Sequence, residues 1–184
     1  FLSLLSYSQE EKDPANPTAK SDPSLEQYYV ANGAYNRKLY PVAIQQYQAF
    51  LKAHPDHAKA DLAQRGLALS YYASKKYEEA INYFKKALRQ KPDYSPAHYN
   101  IARAYHLTGK RQEALKAYRK AIQYNPYFEQ AFYNLAYLSV ELSSFDEAIK
   151  NFNKFIKMQP NHSRAHFGLG NAMMMKGPVS YTHL

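Results

Sequence analysis

Residues 97–126 read AHYNIARAYHLTGKRQEALKAYRKAIQYNP. Ile101, Ala102 and Tyr105 recur at helical spacing on one face. Thr108-Gly109-Lys110 then breaks the pattern, and Gly109 suits a left-handed cap at a helix C-terminus. A second helix is expected over about 112–124, with Ala114, Leu115, Tyr118, Ala121 and Ile122 turned inward. Asn125-Pro126 ends it, because proline cannot continue a helix. The stretch is a helix, a tight turn and a second helix.

Working outward, the same pattern recurs. Pro55, Pro92, Pro126 and Pro160 are spaced by 37, 34 and 34 residues. Ala43, Ala80, Ala114 and Ala148 keep those offsets. So do Tyr47, Phe84, Tyr118 and Phe152, and the series Phe50, Ala87, Ala121 and Phe155. Four marker series with one shared period define an array of repeats. Pro41 stands where the second helix of the first unit begins, a position that tolerates proline. The small residues let paired helices approach, and the rings of Tyr105 and Tyr118 fill the space beside them. One hairpin cannot bury both apolar faces, so successive hairpins must stack into a solenoid.

Composition agrees. The chain has 184 residues, 46% of them apolar, with 19 tyrosines, 6 glycines and no cysteine or tryptophan. That apolar share is too high for a disordered chain. No apolar run approaches the roughly 20 residues of a membrane helix. Without cysteine there is no disulfide framework, thiol nucleophile or thiolate metal site.

These residues closely resemble the tetratricopeptide repeat family, over about 150 of the 184 residues. The repeats are 24–57, 61–94, 95–128 and 129–162, with a partial fifth over 163–176. The resemblance implies an all-α fold, a right-handed superhelical solenoid of antiparallel helix pairs. The first helix of each pair would line a concave groove. Three departures stand out. Residues 58–60 are extra, and are expected to extend the next helix with Asp56 as its N-cap. Leu142-Ser143-Ser144 replaces the usual turn glycine. The fifth repeat has a first helix, about 164–176, and fails at Gly177-Pro178.

The ends read differently. Phe1-Leu2-Ser3-Leu4-Leu5, with Ser6-Tyr7-Ser8 before Gln9, fits the end of a secretory signal; the alternative is an apolar stub. Residues 9–23 read as a disordered linker, so 1–23 is taken as signal remnant plus linker. Residues 177–184 are expected to be a non-native tail, similar to translated adaptor sequence. The signal favours an exported or periplasmic protein, with the cytoplasm as alternative. The stretch 50–80, with its three-residue extension, resembles repeats of bacterial envelope proteins.

Catalytic and cofactor signatures are missing: no G-x-G-x-x-G, no Walker loop, no G-x-S-x-G, no H-E-x-x-H. Neither enzyme activity nor a cofactor is expected. His162 and His166 stand at i,i+4, but no carboxylate lies between them and no third ligand is implied, so no metal is expected. His98 and His166 share a repeat position at which packing is the better account. The acidic pairs Glu78-Glu79 and Asp146-Glu147 open second helices, where they meet the positive end of the helix dipole. Lys150 stands at i,i+4 from Asp146. Asn161-His162-Ser163 is a glycosylation sequon, relevant only in a glycosylating compartment.

The net charge is +9, divided into −2 over residues 1–23 and +11 over the remainder. Lys85, Lys86, Arg89, Lys116, Arg119, Lys120, Lys150, Lys154 and Lys157 fall on the outer side of second helices. Such a face is usually only solvated, but it could attract nucleic acid.

The family pattern assigns groove-facing positions to the first helices. Here they include Tyr28, Asn32, Tyr35, Arg65, Leu69, Tyr72, Tyr99, Arg103, His106, Leu107, Tyr133, Tyr137 and Phe167. Tyr71, Tyr77 and Tyr105 belong to core positions instead. Tyrosine and arginine are enriched at interface hot spots. Some members grip a C-terminal carboxylate with a Lys-Asn-Asn-Lys-Arg clamp. The corresponding residues are Tyr28, Asn32, Gly66, Pro96 and Asn100, or, one repeat on, Arg65, Leu69, Asn100, Gln130 and Asn134. Neither set carries the charges, so that specificity is rejected, and a different carboxylate site through Arg103 and Asn134 stays open. The expected function is a scaffold that binds a protein or peptide segment, with acidic partners favoured. The alternatives are nucleic-acid binding on the basic face and a regulatory segment of a larger enzyme.

Overall fold

The computed structural model describes residues 23–177. The signal, most of the linker and most of the tail lie outside the described residues. After a 3-10 turn at Pro23–Leu25 come nine helices: α1 Glu26–Asn36, α2 Tyr40–Ala53, α3 Ala60–Ala73, α4 Tyr77–Gln90, α5 Ser95–Leu107, α6 Arg111–Tyr124, α7 Glu129–Glu141, α8 Phe145–Met158 and α9 Ser163–Lys176. Among the described residues there is no strand. No described helix is long and apolar enough to cross a membrane.

Each helix packs chiefly on its neighbours in sequence, α1 on α2, α2 on α3, and so on to α9. This is the helix-pair solenoid expected above. The periodic alanines Ala43, Ala80, Ala114 and Ala148 are completely buried, and so are Ala31, Ala68, Ala102 and Ala136 on the first helices. Tyr47, Phe84, Tyr118 and Phe152 are buried with them. Fully burying one such ring stabilises the fold by roughly 1.5–3 kcal/mol.

The turns within pairs share one geometry. Lys38, Lys75, Gly109 and Ser143 all adopt positive φ, at 62, 62, 76 and 56°. The following amides of Leu39, Lys76, Lys110 and Ser144 donate back to the carbonyls of Ala34, Tyr71, Tyr105 and Ser139. That is the Schellman closure of a helix C-terminus. Only the third repeat supplies the glycine that suits it; elsewhere a side-chain residue bears the left-handed conformation.

One expectation is corrected. Of residues 58–60 only Ala60 joins α3, and Asp56 does not cap it. The helix starts at Ala60, with Lys59 at the N-cap and no side-chain cap. His57 draws the chain into a separate turn: its carbonyl accepts from Ala60 N, and its Nδ1 accepts from Lys59 N at 3.0 Å.

Between repeats, the second-helix rings of Tyr47, Tyr118 and Phe152 approach the sixth position of the next repeat. At two sites that position is glycine. A Cβ on Gly66 would lie 2.3 Å from Tyr47 Cζ, and one on Gly168 would lie 2.5 Å from Phe152 Cζ. The absent side chain makes room for the ring. Asn100 and Asn134 hold the equivalent position in repeats three and four.

Candidate functional site

The candidate residues sit on the first helices α1, α3, α5, α7 and α9. A connected set crosses the middle of the array. The Arg103 guanidinium carbon lies 5.0 Å from the Tyr72 ring centre on α3 and 5.7 Å from the Tyr99 ring on its own helix. Asn134 Nδ2, on α7, donates to Tyr99 Oη at 2.9 Å. Tyr72, Arg103, Tyr99 and Asn134 thus link three repeats, each half-buried. Burial pushes the Tyr72 and Tyr99 phenols above the ordinary tyrosine range, with the Arg103 charge opposing. Both are neutral hydrogen-bonding groups at physiological pH.

Tyr137, on α7, donates from Oη to the Arg164 carbonyl at 3.0 Å and packs edge-on to Phe152. Burial and the neighbouring Tyr133 push its phenol up to about 12. Tyr35 is half-buried beside Tyr40. Asn32 Oδ1 accepts from Tyr47 Oη, tying α1 to α2. His106 Nε2 lies 3.1 Å from Glu141 Oε1, and Arg111 Nε donates to Glu141 Oε2 at 3.0 Å. Burial raises the Glu141 carboxyl, but Arg111 and His106 outweigh it and hold it below the usual carboxylate range.

Two positions lie at the extremes. Phe167 on α9 is 77% exposed, while Tyr28 on α1 is only 6% exposed. Tyr28 packs among Tyr29, Tyr47 and Phe50, with Lys59 Nζ 5.4 Å from its ring. Its ring is part of the core, so as a groove contact it is corrected: the extra turn before α3 places Lys59 against it.

A feature missed in the sequence lies at the repeat junctions. Tyr94, Phe128 and His162 are spaced by 34 and directly precede α5, α7 and α9. Each covers the candidate residue at the fifth position of the preceding repeat. Arg65 lies over the Tyr94 ring at 5.0 Å, Tyr99 meets Phe128 at a tilt with ring centres 4.7 Å apart, and Tyr133 meets His162 edge-on at 5.0 Å. The period was there to be read, but its members are chemically mixed. Arg65, Tyr99 and Tyr133 are therefore partly committed to joining repeats.

The histidines are structural. His98 Nε2 donates to the Pro92 carbonyl at 2.8 Å, and His166 Nε2 to the Pro160 carbonyl at 2.7 Å. His162 Nδ1 accepts from Ala165 N and caps α9. Among the described residues no cluster of three metal-ligating side chains occurs. On the outer side, Arg119 grips Glu147 with two bonds of 2.8 and 2.7 Å, and Lys110 meets Glu78 at 2.6 Å. Asp146 pairs with Lys176 at 2.6 Å rather than with Lys150.

Tetratricopeptide repeat models match residues 31–92 and 133–177, and a second such model matches 71–126. The chain belongs to the tetratricopeptide repeat family. The right-handed superhelix of helix pairs is the fold, and the family's fold is in general that of protein–protein interaction scaffolds. No curated protein matches the chain significantly. Among solved structures, a crystal structure of MamA is similar with a TM-score of 0.76 and 24% identity, over 84% of this chain and 82% of that one. A tetratricopeptide repeat protein from Parabacteroides merdae gives 0.77 at 20% identity, over 84% of this chain and 60% of that one. YrrB, described as a tetratricopeptide protein with an unusual peptide-binding site, gives 0.68 at 19%, over 80% and 75%. At such identities the likeness is one of fold.

Proposed function

We propose that the tetratricopeptide array binds a peptide segment of a partner protein along the first helices, without catalysis. The observation that carries this reading is the set Tyr72, Arg103, Tyr99 and Asn134, which spans α3, α5 and α7 as one pre-ordered surface. Rigid rings and a fixed guanidinium lose little entropy on binding, which favours affinity. The description of YrrB as peptide-binding adds a precedent in the same fold.

The experiment follows from exposure. Phe167 and Leu107 are 77% and 58% exposed and carry little of the fold. Replacing both by alanine should weaken partner binding at least tenfold, given the usual value of a hot-spot anchor. Helicity by circular dichroism should not change. Unaltered affinity in the folded double variant would overturn the groove reading.

A second reading has one observation in its favour. A shallow cleft of about 1000 Å³ on the outer side is lined by Arg119, Lys150, Lys154 and Lys157, beside Asp146 and Glu147. The three lysines take no ion pair among the described residues. Nucleic-acid binding there would fall steeply with salt. Weak binding of a single-stranded oligonucleotide even at low salt would exclude it.

A further inference from the structure

The charge of this protein is gathered on one side. Residues 80–90, 114–124 and 148–158 follow the acidic first turns of α4, α6 and α8. They hold nine lysines and arginines and no aspartate or glutamate. The chain has 24 basic and 15 acidic residues, so everything outside these stretches holds fifteen of each and is neutral in sum. The whole net charge of +9 therefore stands on the outer turns of three second helices.

All nine cations are exposed. With 3.6 residues per turn they fall within about 100° of helix surface, opposite the buried rings of Phe84, Tyr118 and Phe152. Lys86, Lys120 and Lys154 repeat at intervals of 34 and form one column across the three helices. Among the described residues only Arg119 of the nine is in an ion pair. The acids of these helices stay in their first turns, at Glu78, Glu79, Glu113, Asp146 and Glu147. The corresponding helix of the first repeat, α2, has Lys52 as its one charge, so the strip belongs to repeats two to four.

The chemistry of the strip selects among polyanions. Seven of the nine cations are lysines, which are point charges on flexible stems and suit anions that move. The rings on this side are already engaged: Tyr83 stacks on Tyr71 and Tyr124 on His98. A single nucleic-acid strand finds charge there but no free stacking platform. A duplex is a cylinder, and the outer side of a superhelix is convex, so the two touch over a short length. A fluid sheet of headgroups rearranges to meet every lysine. Tyr124 is the one exposed large apolar side chain in the three stretches, so contact is made by charge, without insertion.

We propose that the outer strip of α4, α6 and α8 docks on a membrane surface of anionic phospholipids. The proposal is independent of the groove reading. It turns the first helices away from the bilayer, where their surface stays open to a partner.

The test is co-sedimentation of the full chain with vesicles of phosphatidylcholine, alone or mixed equally with phosphatidylglycerol. Binding is expected on the mixed vesicles only, and should fall at least tenfold between about 50 and 200 mM salt. Lys86→Gln, Lys120→Gln and Lys154→Gln together should lower it on the order of a hundredfold, since each lysine near such a surface contributes a factor of about five. The same charge removed at the helix-pair turns, by Arg37→Gln, Lys38→Gln and Lys75→Gln, should lower it by about threefold at most, because those residues lie outside the strip. Helicity should be unchanged in both. The chain has no cysteine, so a fluorophore can be placed singly through Gln123→Cys or Leu107→Cys. Vesicles should shield the first label from a soluble quencher and leave the second open.

Equal losses in the two triple variants would overturn the strip and leave net charge alone as the cause of adsorption. Equal binding to pure phosphatidylcholine would overturn the proposal, as would shielding at Leu107 rather than at Gln123. An oligonucleotide, single or duplex, that strips the protein from the mixed vesicles at matched phosphate concentration would overturn the membrane in favour of nucleic acid. Inorganic phosphate that releases the protein where chloride of equal ionic strength does not would replace the surface with a free-anion site.

Discussion

His98 and His166 occupy the same place in the third and fifth repeats, and each donates to the carbonyl of the proline six residues before it. One is buried and the other is exposed. His98 stacks at 5.2 Å on Tyr124, which comes from the second helix of its own repeat. Among the described residues no second helix follows α9. Ala102 and Gly170 repeat the lesson: Ala102 is completely buried, whereas a Cβ on Gly170 would meet nothing within 4 Å. Local pattern makes the helix and its local bonds. Burial, and with it the energy, comes from the next helix in the array.

The comparison can be tested from its largest expected effect downward. Phe152→Ala removes a completely buried ring shared by two repeats and should cost about 3–5 kcal/mol in urea unfolding. Phe167→Ala, on the open side, should stay within about 0.5 kcal/mol. Equal effects would break the contrast. On α9 itself, Gly168→Ala drives a Cβ into Phe152 and should cost about 1–3 kcal/mol. Gly170→Ala fills open space on the same helix and should gain up to about 1 kcal/mol. The turns allow a smaller swap. Gly109→Ala should cost about 1 kcal/mol at φ 76°, and Ser143→Gly should gain about as much at φ 56°.

The smallest effect is a pH slope. Burial lowers the His98 pKa below the ordinary histidine value, against the raising effect of its Pro92 bond. The unfolded chain therefore takes up a proton that the folded chain refuses. The stability His98 contributes is present above the ordinary histidine range and is lost as pH falls through that range. Melting temperatures between pH 7.5 and 5 should fall less for His98→Gln than for the wild type. An unchanged slope would mean that the burial of His98 has no weight.

The solenoid was legible because its markers are local and chemically uniform. Proline stops, crossing alanines and ring positions repeat at fixed offsets, and all the marked alanines are buried. What was not legible depends on how one repeat rotates against the next. Tyr28 has a groove-facing register, yet the turn at His57 brings Lys59 over it. The start of α3 depended on that same turn, which Asp56 alone did not reveal. Asp146 stood four residues from Lys150, but Lys176, thirty residues away, wins the pairing because α9 docks on α8. The ring series Tyr94, Phe128 and His162 escaped notice because a histidine and two different aromatics share one geometric task.

The restriction of contacts to sequence neighbours also makes the length of the protein adjustable in steps. Excising residues 95–128 would join Tyr94 to Glu129. Phe84 would then lie where Tyr118 lies, beside Asn134, and Tyr94 would stand in for Phe128 at the head of α7. Every new junction would match one already present, so a shorter array should still assemble. Duplication of the same segment would lengthen it. In such an architecture reach can change by copying a repeat, with the repeats on either side left as they are.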